Sequence, residues 1–154
     1  MVTAARTTLR EAITHKLKGV DFMTKAVKEL CPDAMHKLIT SSKINHPELG
    51  KCFERIGYFY LPGNVPIIYT HAMISLDKVK KELIEDLLAQ KGLFGELLRE
   101  HYPNSKIESE TVSFKEKVKL PNYFQKVAKE KLTSRHKRYI IVDGKKIALA
   151  IEYV

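Results

Sequence analysis

The chain has 154 residues, which suits one domain with a real core rather than several domains. Hydrophobic residues make up 44%, too many for a disordered chain, and no apolar run approaches the length of a membrane span. A net charge of +9 suits nucleic acid, an acidic surface or an anionic small molecule, but no RNA-recognition strand signature and no zinc-finger spacing accompanies it, so a solvated basic surface is the plainer reading.

In chain order, residues 3–18 read as a helix with a capping box from Thr8 and Glu11 and an apolar stripe of Leu9, Ala12, Ile13 and Leu17, ended by Gly19. A second helix is expected from Asp21, carrying Phe22, Met23, Ala26, Val27 and Leu30, and stopped by Cys31-Pro32. Met23 reads as ordinary core packing. Met35–Ile44 is a weak strand, followed by an Asn45-His46-Pro47 turn. Phe53–Ile74 is the organising stretch: two apolar, aromatic and β-branched runs flank Leu61–Pro66, a hairpin with a longer Gly/Pro turn. Period-two counting puts Phe53, Arg55, Gly57, Phe59 and Leu61 on one face, and Ile67, Tyr69, His71 and Met73 on a face of the next strand. Apolar residues on both faces of both strands predict helices over one side of the sheet and a pocket closed over the other.

Ser75 is expected to cap a helix through about Gln90, with a broad apolar face of Leu76, Val79, Leu83 and Leu87 and the neighbours Ile84 and Leu88. Leu93-Phe94-Gly95 opens a shorter helix over Glu96–His101. Gly95 has two readings: a plain interhelix glycine, or a place where a ligand meets exposed backbone N–H groups at a helix start. Ile107–Val118 reads as a strand, and Leu120-Pro121-Asn122 leads into a short helix with Phe124, Val127, Ala128 and Leu132 inward. The closing hairpin pairs Tyr139–Val142 with Ile147–Val154 around Asp143-Gly144-Lys145. Glu152 lies on the Ala148, Ala150, Val154 face, either in water at a frayed terminus or facing the same cavity as Arg55. The densest basic cluster, Arg135–Arg138, reads as solvated. The order of elements predicts an α+β fold with a mostly antiparallel sheet over a single domain, 1–154.

No charged-then-apolar leader opens the chain, so a cytoplasmic location is expected. Cys31 and Cys52 form neither a CxxC nor a metal spacing and read as reduced core thiols. No Walker loop, dinucleotide fingerprint, HExxH or GxSxG occurs, and Cys31 with His36 makes no convincing metal set. What remains is Arg55, His71 and Glu152, each in an apolar strand. Burying a lone charge costs several kcal/mol, so each needs a partner or a ligand. A guanidinium fork that grips carboxylates, set among apolar residues, suits a small and mostly apolar anion.

These residues resemble those of the chorismate lyase (chorismate–pyruvate lyase) family, whose fold is shared by the effector domains of some winged-helix regulators. Phe22-Met23-Thr24-Lys25 resembles the family's early "SMT" motif, with Phe22 in place of serine. Arg55, eight residues before Gly63, resembles its carboxylate-binding arginine. Leu93-Phe94-Gly95 resembles its "PLG" segment, and Gly144-Lys145 through Glu152 its closing "GKPLLLTE" hairpin. The family's second arginine falls at His71, and a neutral imidazole grips a carboxylate less well.

The resemblance implies elimination of pyruvate from chorismate, a dicarboxylate, to leave 4-hydroxybenzoate, driven by aromatisation and needing no cofactor and no metal. It implies Arg55 on the ring carboxylate, the Phe94 and Gly95 N–H groups on an anionic oxygen, and Glu152 at the hydroxyl or ether end as a proton carrier. His71 would meet the pyruvyl carboxylate, Met23 would pack on the ring, and the helices would serve as lids. Two other readings stand beside it: a non-catalytic binding domain for a small aromatic acid, and a nucleic-acid module motivated by the charge alone.

Overall fold

The structure, a computed structural model, describes residue 12, residues 23–128 and residues 132–154, without the side chains of 23–25 and 113–116. The helix expected over 3–18 lies outside the described residues, Ala12 apart, as does the Asp21 start of the second. In chain order the elements are helix α1 (Met23–Leu30), strands β1 (Met35–His46), β2 (Gly50–Leu61) and β3 (Val65–Ser75), helices α2 (Lys81–Leu88) and α3 (Phe94–His101), strand β4 (Ile107–Lys119), a 3-10 turn at Asn122–Phe124, and strands β5 (Leu132–Val142) and β6 (Lys145–Tyr153). The strands form a six-stranded sheet in the order β1-β2-β3-β6-β5-β4, with every neighbouring pair antiparallel. This is an α+β fold built on an antiparallel sheet. No helix among the described residues is long and apolar enough to cross a membrane.

The tight turns follow from local chemistry. Asp143 and Gly144 have φ of 50° and 81°, the paired positive values a two-residue hairpin turn requires, and Asp-Gly tolerates them best. Gly63 and Asn64 turn the central hairpin in the same left-handed region, at 88° and 58°.

Each face of the sheet carries its own core. On one face Phe53, Ile74, Ile140 and Ala148 pack against Leu83 and Leu87 of α2 and Leu97 and Leu98 of α3, while Ala26 and Val27 of α1 pack with Phe59, Ile68 and Val154. Burying Leu83 and Leu98 completely contributes about 1.5–3 kcal/mol each. On the other face Ile56, Tyr69, Met73, Leu149 and Tyr153 pack under Leu120 and Phe124.

Three expectations are corrected. Ser75 does not cap a helix. It ends β3 opposite Cys52 and donates its hydroxyl to the Leu49 carbonyl at 2.8 Å, while the Leu76 N–H still bonds to Lys51, so the chain leaves the sheet late and α2 begins at Lys81. The helix expected after Asn122 is one 3-10 turn, and Leu132 does not pack inward from it; it opens β5 opposite Lys119 and is 59% exposed. The pocket lies beneath the helices, on the same face, rather than on the opposite one.

Candidate functional site

The sheet places side chains in rows, because residues directly opposite on antiparallel strands point to the same face. Arg55 of β2 stands opposite Ala72 of β3, Ala72 opposite Ala150 of β6, and Ala150 opposite Arg138 of β5. The next row reads Gly57, Thr70, Glu152, His136. With strands about 4.8 Å apart, the two arginine backbones lie roughly 14 Å from each other. Two alanines floor the space between them, and the start of α3 roofs it with Leu93, Phe94 and Gly95. The result is a partly open cavity of about 90 Å³. An enclosed cavity that holds benzene measures about 150 Å³, so this space is tight for a ring-bearing ligand.

The two arginines differ in circumstance. Arg138 and Glu152 form a direct ion pair, and both side chains are almost fully buried. The second carboxylate oxygen, Oε2 of Glu152, is buried without a hydrogen-bond partner. Arg55 is 9% exposed and its Nε has no hydrogen-bond partner. Burial lowers its pKa, and no carboxylate among the described residues offsets it. A buried cation in this state is costly to the protein and is stabilised by an incoming anion.

His36 of β1 lines the cavity beside Arg55. Its ring stands edge-on to Phe59 at 4.9 Å and lies against Gly57, where an added Cβ would come within 2.7 Å of His36 Cε1 and 2.6 Å of the Lys37 carbonyl oxygen. Burial, and then the charge of Arg55, push its pKa down to about 4, so the imidazole is neutral near pH 7. The Thr70 hydroxyl donates to the Gly57 carbonyl at 3.3 Å, which leaves His36 Nε2–H to donate to Thr70 Oγ1 at 3.4 Å and turns Nδ1 into an acceptor. At the roof, α3 is tied down where Glu96 accepts the Leu93 N–H and pairs with Lys28 of α1. The first N–H groups of α3 have no carbonyl a turn earlier to bond with.

Of the residues singled out from the sequence, Arg55, Phe94, Gly95 and Glu152 line this one cavity. His71 borders it, but both ring nitrogens are taken up on the opposite face, by Glu54 at 2.7 Å and the Tyr123 hydroxyl at 3.0 Å. Arg55 pairs with Ala72, so His71, one residue earlier, stands opposite Ile56 and points away. Both His71 ring nitrogens are thus engaged by Glu54 and Tyr123 on the face away from Arg55. Met23 opens α1, and its side chain lies outside the described residues. Reasoning from the sequence missed Arg138, His36 and Thr70. Arg138 and His136 belong to the basic cluster read as solvated, yet they are 2% and 0% exposed. The alternation His136, Arg138, Ile140 was the available signal, since it puts the arginine on the face of a buried isoleucine.

No protein-family model matches the chain, and no curated protein matches it. Solved structures do. A GntR-family transcriptional regulator from Bacillus cereus superposes with a TM-score of 0.55 at 9% identity, over 79% of this chain and 90% of that one. A structure described as the ligand-binding domain of a GntR-family transcriptional regulator from Bordetella bronchiseptica gives 0.59 at 11% identity, over 78% and 84%. A gene product from Staphylococcus aureus gives 0.54 at 12% identity, over 82% and 85%. At these identities the likeness is one of fold.

Proposed function

We propose that the chain, taken over 1–154 as one domain, binds a small carboxylic acid with an apolar or aromatic body in the cavity beneath α3, as a ligand-binding domain of the kind to which its fold is similar. The observation that carries this reading is the buried guanidinium of Arg55, which lines the cavity with no carboxylate to answer it among the described residues. The acid's carboxylate sits on Arg55 and its body lies over Ala72 and Ala150. The Phe94 and Gly95 N–H groups stand at the roof for a second anionic oxygen. The test is thermal unfolding with and without 4-hydroxybenzoate. The wild type gains several degrees, Arg55→Gln gains none, and a wild type unmoved at millimolar acid ends the reading.

A second reading, chorismate lyase chemistry, is favoured by one further observation: Glu152 lines the same cavity as Arg55 and keeps one oxygen without a partner. Here Arg55 holds the ring carboxylate, Glu152 meets the hydroxyl end, and Met23 packs on the ring. The pyruvyl carboxylate then has to share Arg138 with Glu152. Pyruvate release from chorismate tests it, wild type against Arg55→Ala and Glu152→Ala; a wild type no faster than the buffer blank leaves the binding role alone.

A further inference from the structure

His36 lines the cavity, and neither function proposed above uses it. It reaches in from β1, the strand at the edge of the sheet. Its ring is seated rather than loose. The Cε1–Nε2 edge occupies the place of a side chain at residue 57, so only a glycine there leaves it room. Phe59, opposite His36 on β2, meets the ring edge-on. Thr70 then fixes the tautomer. Its hydroxyl donates to the Gly57 carbonyl, so Nε2–H donates to Thr70 Oγ1 and Nδ1 keeps its lone pair. Among the described residues Thr70 is the hydrogen-bond partner of this ring, and no group donates to Nδ1. Gly57, beneath the ring, stands two residues from Arg55 on the same face of β2, a separation of about 7 Å. The imidazole therefore flanks the place of a carboxylate held by Arg55, and the charge of Arg55 helps to keep it neutral.

We propose that His36 is a specificity-determining residue of this cavity: the acid it selects carries a hydrogen-bond donor, an amino or hydroxyl group, on the carbon next to the one that bears the carboxylate. This rests on the acid-binding role proposed above and narrows its ligand class. A neutral imidazole nitrogen with a lone pair accepts a hydrogen bond and offers none. His36 therefore does not share the carboxylate with Arg55; it answers a donor beside it. A donor across the ring lies out over Ala72 and Ala150, away from the imidazole. An apolar group beside the carboxylate takes water from Nδ1 and returns no hydrogen bond, so it is disfavoured. An amino group suits the place well, because one N–H can turn to its own carboxylate while the other reaches Nδ1.

The experiment is equilibrium binding at pH 7.5 of two pairs of acids, 2-aminobenzoate with 2-methylbenzoate and 4-aminobenzoate with 4-methylbenzoate. Each pair exchanges a donor for an apolar group of similar size. The full chain is used as wild type, as His36→Phe, which keeps a ring against Phe59 and removes the acceptor, and as Thr70→Val, which removes the group that fixes the tautomer. The wild type binds 2-aminobenzoate tighter than 2-methylbenzoate by about three- to tenfold. His36→Phe loses that preference, and Thr70→Val weakens it. The ratio within the 4-substituted pair is the same in wild type and His36→Phe. A wild type that binds 2-aminobenzoate no tighter than 2-methylbenzoate overturns the inference, whatever the variants do. A folded His36→Phe that keeps the preference overturns it as well. If His36→Phe does not fold, Thr70→Val decides, and an undiminished preference there overturns it. A wild type that binds none of the four acids overturns the acid-binding role itself, and the inference falls with it.

Discussion

Arg55 brings a positive charge into a strand whose neighbours are Ile56 and Phe53, both 5% exposed. Without an anion the charge works against folding. Arg55→Met keeps the length of the side chain and removes the charge, so it raises the stability of the ligand-free protein by about 1–3 kcal/mol while abolishing acid binding. Urea unfolding with and without 4-hydroxybenzoate reads both effects, and a destabilised Arg55→Met contradicts the account. His36 gives a pH dependence of known sign. Its imidazole titrates at 6.5 in the unfolded chain and at about 4 in the folded one. Between those values the unfolded chain holds more protons, so stability falls as pH drops through that window, by at most about 3 kcal/mol. Urea midpoints at pH 7.5, 5.5 and 4.5 show this slope in the wild type and a flatter one in His36→Asn. Residues of this kind were unevenly visible in the sequence. Arg55 stood out because a charge amid apolar strand residues demands a reason. Arg138 was hidden by its neighbours, since Arg135-His136-Lys137-Arg138 looks like a surface patch until the strand is extended back past Tyr139.

Among the elements, the two hairpins show why the strands could be read but not their mutual phase. Alternation within β2 and within β3 was visible, yet which face of β3 joins the Arg55 face depends on register. Between Phe59 and Tyr60 the pairing slips, with Phe59 opposite Ile68 and Tyr60 opposite Pro66. A similar slip decides the site. Val142 and Ile141 stand opposite Lys145 and Lys146, but Ile140 stands opposite Ala148, which leaves Ile147 as the extra residue of a bulge. Were Ile147 paired in the ladder instead of bulged, Arg138 would face Leu149, on the side away from Glu152. Composition gives no sign of such a bulge, so the ion pair could not be foreseen. Gly57 shows the same tight tolerance between β1 and β2. Gly57→Ala drives a Cβ to within 2.6 Å of a backbone oxygen that cannot yield, so it costs more than Gly144→Ala, where the space is empty and the penalty is the φ of 81° alone. The expected order of urea midpoints is wild type, Gly144→Ala, Gly57→Ala, with the two alanine variants separated by about 1 kcal/mol or more.

At the scale of the whole molecule, the charge of +9 acts on how an anion arrives rather than on the fold. The association rate of 4-hydroxybenzoate falls several-fold between about 50 and 500 mM salt, while its uncharged amide shows no such fall; stopped-flow mixing measures both. The far side of the sheet offers a way to follow binding without a label. Tyr123 bonds His71 on β3, and the hydroxyls of Tyr123 and Tyr153 on β6 interact, which brackets from behind the two strands that carry Thr70 and Glu152 into the cavity. The chain has no tryptophan and seven tyrosines, so its near-ultraviolet emission belongs to phenols. An occupant that tugs on Glu152 strains a bracket one residue away, and the protein's own fluorescence registers the event from the reverse of the sheet.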